Sequence, residues 1–201
     1  MLKKCTLIAV FLLFTSSVFA FEQGSMLLSP RIGFGINNTK IDESGIDNEL
    51  SMAWNIGLDF NYFFMDNFSF LAGLLYESET ISYKESDPDI GEIKSDLNFS
   101  YITIPIGIRY FFAEHFLVGG GLYYAFSNDA SISGSLGGMR MSIDIDSEND
   151  FGLFIDLGAI YKLSEQGALS AYIRFKQGLK EVAPDTRTQN ITLNFAYSFK
   201  F

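Results

Sequence analysis

The sequence predicts an all-β protein, an eight-stranded antiparallel up-and-down transmembrane β-barrel. Three observations support this fold. Beyond residue 24 the chain alternates between large apolar and small or polar residues with a period of two, which is typical of strands. Short connections alternate with long ones, as in membrane barrels. The final segment, NFAYSFKF, carries aromatic residues on every second position up to the end of the chain.

The N-terminus has the parts of a secretory signal peptide. Lys3 and Lys4 precede the apolar run LIAVFLLF, and Val18-Phe19-Ala20 offers a small-residue cleavage site. This run is far shorter than the ~20 residues that a membrane-spanning helix needs. We therefore expect residues 1–20 to be removed after export and residues 21–201 to form one barrel domain.

Charge and cysteine content exclude several classes of function. Cys5 is the only cysteine and lies in the segment to be removed, so no disulfide, lipid anchor or cysteine-based metal site is expected. The net charge of -10 becomes -12 when Lys3 and Lys4 leave with the signal peptide. Nucleic-acid binding needs basic patches and is disfavoured. No cofactor is predicted.

One segment shows the strand pattern most clearly. Its large apolar residues occupy the even positions and its small or polar residues the odd ones: Met52, Trp54, Ile56, Leu58, Phe60 and Tyr62 against Ser51, Ala53, Asn55, Gly57, Asp59 and Asn61. The same split recurs along the chain and predicts eight strands. Short connections lie around MDN, FAEH and SEQG, and long ones around residues 37–50, 80–98, 127–150 and 180–189. This alternation favours a bacterial outer-membrane barrel with periplasmic turns and extracellular loops.

A soluble lipocalin-like barrel is the alternative architecture, and it would have to point the apolar face inward. Aromatic residues favour the membrane barrel, because they form two candidate interfacial girdles. One girdle lies just before the short turns and contains Tyr62, Tyr110 and Tyr161. The other lies near the long loops and contains Trp54, Tyr76, Tyr124 and Phe151.

Three segments resemble the eight-stranded outer-membrane β-barrel, or porin-like, family of double-membraned bacteria. YITIPIGIRY, with Pro105 and Arg109, is similar to the family's fourth strand. FGLFIDLGAIYKL is similar to its glycine-marked sixth strand, and IRFKQGL, with Arg174, to its seventh. The resemblance implies residence in the outer membrane among membrane lipid and lipopolysaccharide. It also implies that Tyr197, Phe199 and Phe201 form the C-terminal signal read by the barrel-assembly machinery.

Charged residues on the small or polar face are expected to point into the lumen as a polar network: Arg31, Asp59, Glu77, Arg109, Asp156 and Arg174. An eight-stranded barrel is just wide enough to be filled by side chains, so a plug is favoured over a narrow ion path. Arg31 and Asp59 are expected to pair; Glu77 with Arg174, or Asp156 with Arg109, are further options. With Lys162, Lys176 and Lys200 included, basic residues outnumber acidic ones, and an open path would favour anions.

The long loops are acidic. Asp144, Asp146 and Asp150 are weak candidates for a calcium site, but the stretch lacks the EF-hand spacing, and a solvated acidic rim is favoured. Alternation on both sides of Gly137-Gly138 predicts either a protruding β-ribbon, whose edge could bind a partner strand, or an ordinary loop.

These observations favour a non-enzymatic barrel that presents extracellular loops for surface binding, adhesion or envelope integrity, with a protein partner at the loops. The alternative is a narrow pore for small solutes or ions. A lipid-modifying enzyme is less favoured, since the only histidine, His115, lies in a predicted periplasmic turn without a nucleophile at recognisable spacing. A soluble carrier is the remaining possibility.

Overall fold

The computed structural model describes residues 21–37, 47–49, 51–87, 91–113, 115–136, 139–144, 147–183 and 186–201. The predicted signal peptide and the Gly137-Gly138 turn lie outside these residues. The strands are β1 (Met26–Asn37), β2 (Asp47–Glu49), β3 (Ser51–Met65), β4 (Phe68–Asp87), β5 (Gly91–Phe112), β6 (Phe116–Leu136), β7 (Met139–Asp144), β8 (Asp150–Lys162), β9 (Gly167–Ala183) and β10 (Thr186–Lys200).

Eight of these strands form a closed antiparallel barrel in the order β1, β3, β4, β5, β6, β8, β9, β10, with β10 pairing back onto β1. The closure continues to the last residue, where Met26 and Phe201 exchange backbone hydrogen bonds of 3.2 and 3.1 Å. Because the ring has no edge, every strand in it can satisfy its backbone groups within lipid. The predicted fold class is therefore confirmed.

The apolar residues of the barrel point outward. Along β3, Met52 is 74% exposed and Ile56 is 51% exposed, whereas Asn55 and Asp59 are buried. This orientation rejects the soluble barrel, which needs its apolar face inside. The part of the chain that the structure describes contains no apolar helix long enough to span a membrane.

Three barrel strands are longer than the sequence pattern predicted. Residues 80–98 were expected to form a loop, but the ladder between β4 and β5 continues to the pair of Asp87 and Gly91. Likewise β6 runs to Leu136 and pairs with β7, which confirms the predicted ribbon. Outside the membrane the outer face of a strand no longer has to be apolar, so the alternation fades although the hydrogen-bond ladder continues.

We call one end of the barrel the turn end, because it carries the short turns and both ends of the described chain. The opposite end is called the loop end. An apolar cluster closes the turn end. The ring of Phe21 stacks on Phe63 at 4.7 Å and lies 5.1 Å from Phe111, and all three side chains are buried. Gly24, with φ of 87°, turns the segment inward, and its N–H donates to the Phe63 carbonyl.

Candidate functional site

The centre of the lumen is built around Asp156 on β8. Arg174, its register partner on β9, donates to both carboxylate oxygens, with Nε to Oδ1 at 2.7 Å and Nη2 to Oδ2 at 2.8 Å. Arg109 on β5 reaches the same carboxylate at 2.8 Å. The Arg109 side chain crosses β6 at Gly119, which pairs with both Arg109 and Asp156. A glycine on the intervening strand therefore opens the space that the arginine crosses.

A second carboxylate extends this cluster to the opposite wall. Asp59 on β3 accepts from Arg109 Nη2 and from the hydroxyl of Tyr172, each at 2.9 Å. Arg31 on β1 lies 3.7 Å from the same carboxylate and donates to the Tyr172 hydroxyl at 2.6 Å. The guanidinium of Arg109 also stacks over the Tyr172 ring at 4.7 Å. Tyr172 thus links both arginines to Asp59 and joins four strands.

A separate cluster lies nearer the loop end. Lys176 contacts Glu77 at 2.5 Å and Glu79 at 3.5 Å. Glu77 also accepts from Thr103 at 2.6 Å, and Glu79 accepts from Asn190 at 2.6 Å. The five side chains lie on two pairs of adjacent strands, β4 with β5 and β9 with β10, so the cluster ties β4 to β9 and β10 across the lumen.

Asp150 lies in the lumen rather than in a loop. It is 2% exposed and accepts hydrogen bonds from Tyr123 at 2.7 Å and from Thr188 at 2.6 Å. Asp150 is therefore not available as a ligand of the calcium site considered for Asp144, Asp146 and Asp150. Asp146 and the side chain of Asp144 lie outside the described residues, and within those residues no group of three or more histidine, cysteine or acidic residues could hold a metal ion.

All six residues of the predicted lumen network are buried inside the barrel. Arg31 lies beside Asp59, and Arg109 lies against Asp156. The other option, a pair of Glu77 with Arg174, is wrong: Glu77 contacts Lys176, and Arg174 contacts Asp156. Sequence reasoning missed Glu79, although it shares the parity of Glu77 and precedes the loop expected at residues 80–98.

The expected excess of positive charge in the lumen is wrong. The buried charged residues of the described chain are four basic and five acidic: Arg31, Arg109, Arg174 and Lys176 against Asp59, Glu77, Glu79, Asp150 and Asp156. Lys162 and Lys200 are only partly buried and lie at the turn end. The balance is therefore slightly acidic, and the basis for anion preference is lost.

The geometry of the network is that of a plug. Each of its charged residues is at most 4% exposed, and each contacts an opposite charge or several hydrogen-bond donors. Such ions are stable in an apolar protein interior only when they are paired and hydrogen-bonded. Chemically, the arrangement cross-braces opposite walls of the barrel.

The remaining predicted residues lie at the turn end. His115 is in the turn between β5 and β6, and its ring stacks on Tyr161 at 6.2 Å between centroids. Phe199 and Phe201 are 49% and 66% exposed on the outer face, and Tyr197 packs edge-on against Phe199 at 4.7 Å. Tyr197, Phe199 and Phe201 therefore lie outside the lumen, near the pairing of β1 with β10.

The loop end carries a sheet that continues beyond the barrel. It contains the distal parts of β4, β5 and β6, with β7 paired to β6 and β2 paired to Ser82–Lys84 of β4. On the surface near this sheet, Lys180 Nζ lies 2.5 Å from Glu148. Its hydrogen bond, and then its charge, hold the pKa of the Glu148 carboxyl below the ordinary 4.5.

A closed antiparallel ring, an apolar outer face and a charged, plugged lumen together define a transmembrane β-barrel. The chain belongs to the outer membrane protein beta-barrel domain family, whose model matches residues 6–199. No curated protein sequence matches the chain at a significant level.

Three solved structures are similar to this chain at low sequence identity. Neisserial surface protein A (NspA) is 13% identical, with a TM-score of 0.51 over 89% of this chain and all of its own. OprG from Pseudomonas aeruginosa is 11% identical, with a TM-score of 0.49 over 92% of this chain and 99% of its own. Ail of Yersinia pestis is 15% identical, with a TM-score of 0.45 over 89% and 99%. Because the chain belongs to the outer membrane protein beta-barrel domain family, the protein is an outer-membrane barrel, and its apolar belt faces membrane lipid.

Proposed function

We propose that this protein is a non-enzymatic surface-binding barrel, whose loop end faces the outside of the cell and binds a protein partner. The observation that carries the proposal is the length of the strands at the loop end. From Tyr76, in the predicted outer girdle, β4 continues to Asp87, which is roughly 36 Å of strand at ~3.3 Å per residue. A barrel that only spanned the membrane would not need this extension.

The free edge of β7 is the preferred contact for the partner. Within the described residues, β7 has a ladder to β6 on one side only. An extended segment of another protein can pair with such an edge through backbone hydrogen bonds. Ile143 on β7 is 58% exposed and offers an apolar contact beside that edge.

The filled lumen disfavours the alternative of a narrow pore. Side chains from both walls meet at Asp59 and Asp156, which are each 0% exposed. An ion would have to displace charge-assisted hydrogen bonds from Arg109 and Arg174 to pass. We therefore assign the function to the surface of the protein rather than to the lumen.

A lipid-modifying activity has little support from the placement of His115. Its ring packs on Tyr161 at the turn end, far from the sheet at the loop end.

We also infer that residues 1–20 act as a cleavable export signal. Tyr197, Phe199 and Phe201, which lie outside the lumen, would then serve the barrel-assembly machinery during insertion.

The experiment compares cells that display the full protein with cells whose residues 132–144 are replaced by a short glycine-serine turn. Binding to purified extracellular-matrix proteins and to cell monolayers is measured, and heat-modifiable gel migration verifies the folded barrel. Binding that falls to the level of cells without the protein supports the proposal. Equal binding by both forms, or no binding by either, contradicts it.

A further inference from the structure

The residue types along β7 are arranged symmetrically about Ser142. The apolar residues Met141 and Ile143 stand directly beside it, and the next residues outward, Arg140 and Asp144, carry opposite charges. In an antiparallel pair of two β7 strands centred on Ser142, Arg140 of each copy stands opposite Asp144 of the other. Met141 of each copy likewise stands opposite Ile143 of the other. The sequence of the edge strand is therefore complementary to itself in both charge and hydrophobicity.

An apolar row leads across the loop-end sheet to the same edge. The register aligns one residue on each of four strands, Ile81 on β4, Leu97 on β5, Ile132 on β6 and Ile143 on β7. Ile81 is 2% exposed, whereas Ile143 is 58% exposed, so the row is buried at one end and open at the other. A second copy of β7 would extend this row, because its Met141 would stand opposite Ile143.

The orientation of the loop-end sheet determines where a second copy has to be. Strand β6 is continuous from Phe116 at the turn end to Leu136, so the sheet extends the barrel wall and its plane follows the barrel axis. A two-fold axis perpendicular to the sheet relates two antiparallel edge strands whose sheet faces are aligned. A half-turn about that axis reverses the direction of the barrel axis. The second barrel therefore points the opposite way, with its loop end toward the loop end of the first.

We propose that β7 binds β7 of a second copy of this protein in the outer membrane of a facing cell, so that the protein supports contact between like cells. The inference goes beyond the proposed function and rests on two parts of it, the outward loop end and the free β7 edge. Two barrels in one membrane share one orientation and do not meet this geometry. Since a ladder of six residues is a small interface, the contact depends on many copies acting together.

Two charge-reversal variants test the register of the pair. Arg140→Asp places acidic residues opposite each other when it pairs with itself, and Asp144→Arg does the same with basic residues. Like charges directly opposite destabilise strand pairing, so each variant should pair with itself roughly tenfold more weakly. In a mixture, however, each acidic residue of Arg140→Asp stands opposite a basic residue of Asp144→Arg. The mixture also controls for folding, since both variants must be intact to bind.

Cells that display the wild type or either variant are labelled with two dyes and mixed, and co-aggregation is counted by flow cytometry. Heat-modifiable gel migration verifies each barrel. The expected result is aggregation of wild-type cells, roughly tenfold less aggregation of each variant alone, and recovery when Arg140→Asp cells are mixed with Asp144→Arg cells. Equal aggregation by all forms, no aggregation by the wild type, or no recovery in the mixture would overturn the proposal.

Ser142→Cys tests the centre of the pair in residues 21–201, which contain no other cysteine. Opposed residues of an antiparallel pair are ~4.5–5.5 Å apart between Cα atoms, which a disulfide can bridge. Mild oxidation of two mixed populations with different epitope tags should link the two tags. Ser133→Cys, on β6 beside Ser142, is the matched control and should not link them. Links confined to identical tags would place the pair within one membrane and refute the proposal.

The two proposals fail in different ways. Binding to matrix proteins or monolayers that depends on residues 132–144, without recovery in the mixture of charge variants, would refute this inference and leave the proposed function standing. Recovery in the mixture without such binding would support this inference and contradict the binding of other proteins.

Discussion

Arg109 on β5 and Asp156 on β8 form a hydrogen bond of 2.8 Å although a whole strand, β6, lies between them. The contact depends on Gly119, because a Cβ there would lie 2.7 Å from Cγ of Arg109. The glycines of the inner face are thus part of the network, since they determine which charged side chains can meet.

Gly119→Ala is therefore expected to destabilise the folded barrel by about 1–3 kcal/mol, the usual cost of overpacking. The control is Gly120→Ala on the same strand, where the nearest atom to the new Cβ is the Phe154 carbonyl oxygen at 3.3 Å. Urea unfolding in lipid vesicles gives the two free energies. Equal losses would show that Arg109 does not need the space over Gly119.

Asp156→Asn removes the negative charge that faces Arg109 and Arg174. Loss of one partner from a buried ion cluster leaves the other charges uncompensated, which costs about 3–5 kcal/mol. The same unfolding measurement tests this, with Glu148→Gln as the control, because Glu148 forms its ion pair in an exposed position. A barrel that loses no stability on Asp156→Asn would contradict the cross-bracing role of the network.

Phe21→Ala tests the apolar closure at the turn end. Phe21 is 3% exposed and packs against Phe63 and Phe111, so truncation should cost about 3–5 kcal/mol. Phe34→Ala makes the same chemical change at a lipid-facing side chain that is 52% exposed, and it should cost less. If the two losses are equal, the apolar cluster at the turn end contributes no more to stability than a lipid-facing side chain does.

Planar-bilayer recording tests the plug directly. Refolded residues 21–201 are expected to give no discrete conductance steps, because buried side chains fill the lumen at Asp59 and Asp156. Arg109→Ala is recorded beside the wild type, since it removes the side chain that bridges the two carboxylates. Steps in the wild type that change with Arg109→Ala would identify a small pore and refute the plug.

Lys180→Met tests the surface pair at the loop end. Since the hydrogen bond from Lys180 lowers the pKa of Glu148, the variant should raise that pKa toward 4.5. The pair's contribution to stability is present above pH 4.5 and is lost as the pH falls through the lowered pKa. Carboxyl NMR titration measures the shift, and an unchanged midpoint would show that the two side chains do not meet in solution.

The sequence by itself determined the number of barrel strands, the outward direction of the apolar residues and the lumen position of six charged residues. A period of two assigns each residue to a face from local information alone. Asp156 and Arg109 could therefore be assigned to the lumen without knowing their neighbours. The same local rule ended β4 near residue 80 rather than at Asp87, since the outer face of a strand carries no apolar alternation outside the membrane.

Only the tertiary structure decided which charges meet, because pairing across the lumen depends on barrel shear and on gaps left by glycines on intervening strands. Glu77 contacts Lys176 rather than Arg174, and Asp150 belongs to the interior rather than to a loop. The docking of Phe21 also brings together segments distant in sequence. The odd or even position of a residue along its strand determines the face on which it lies, whereas the closure of the barrel determines which side chain it contacts.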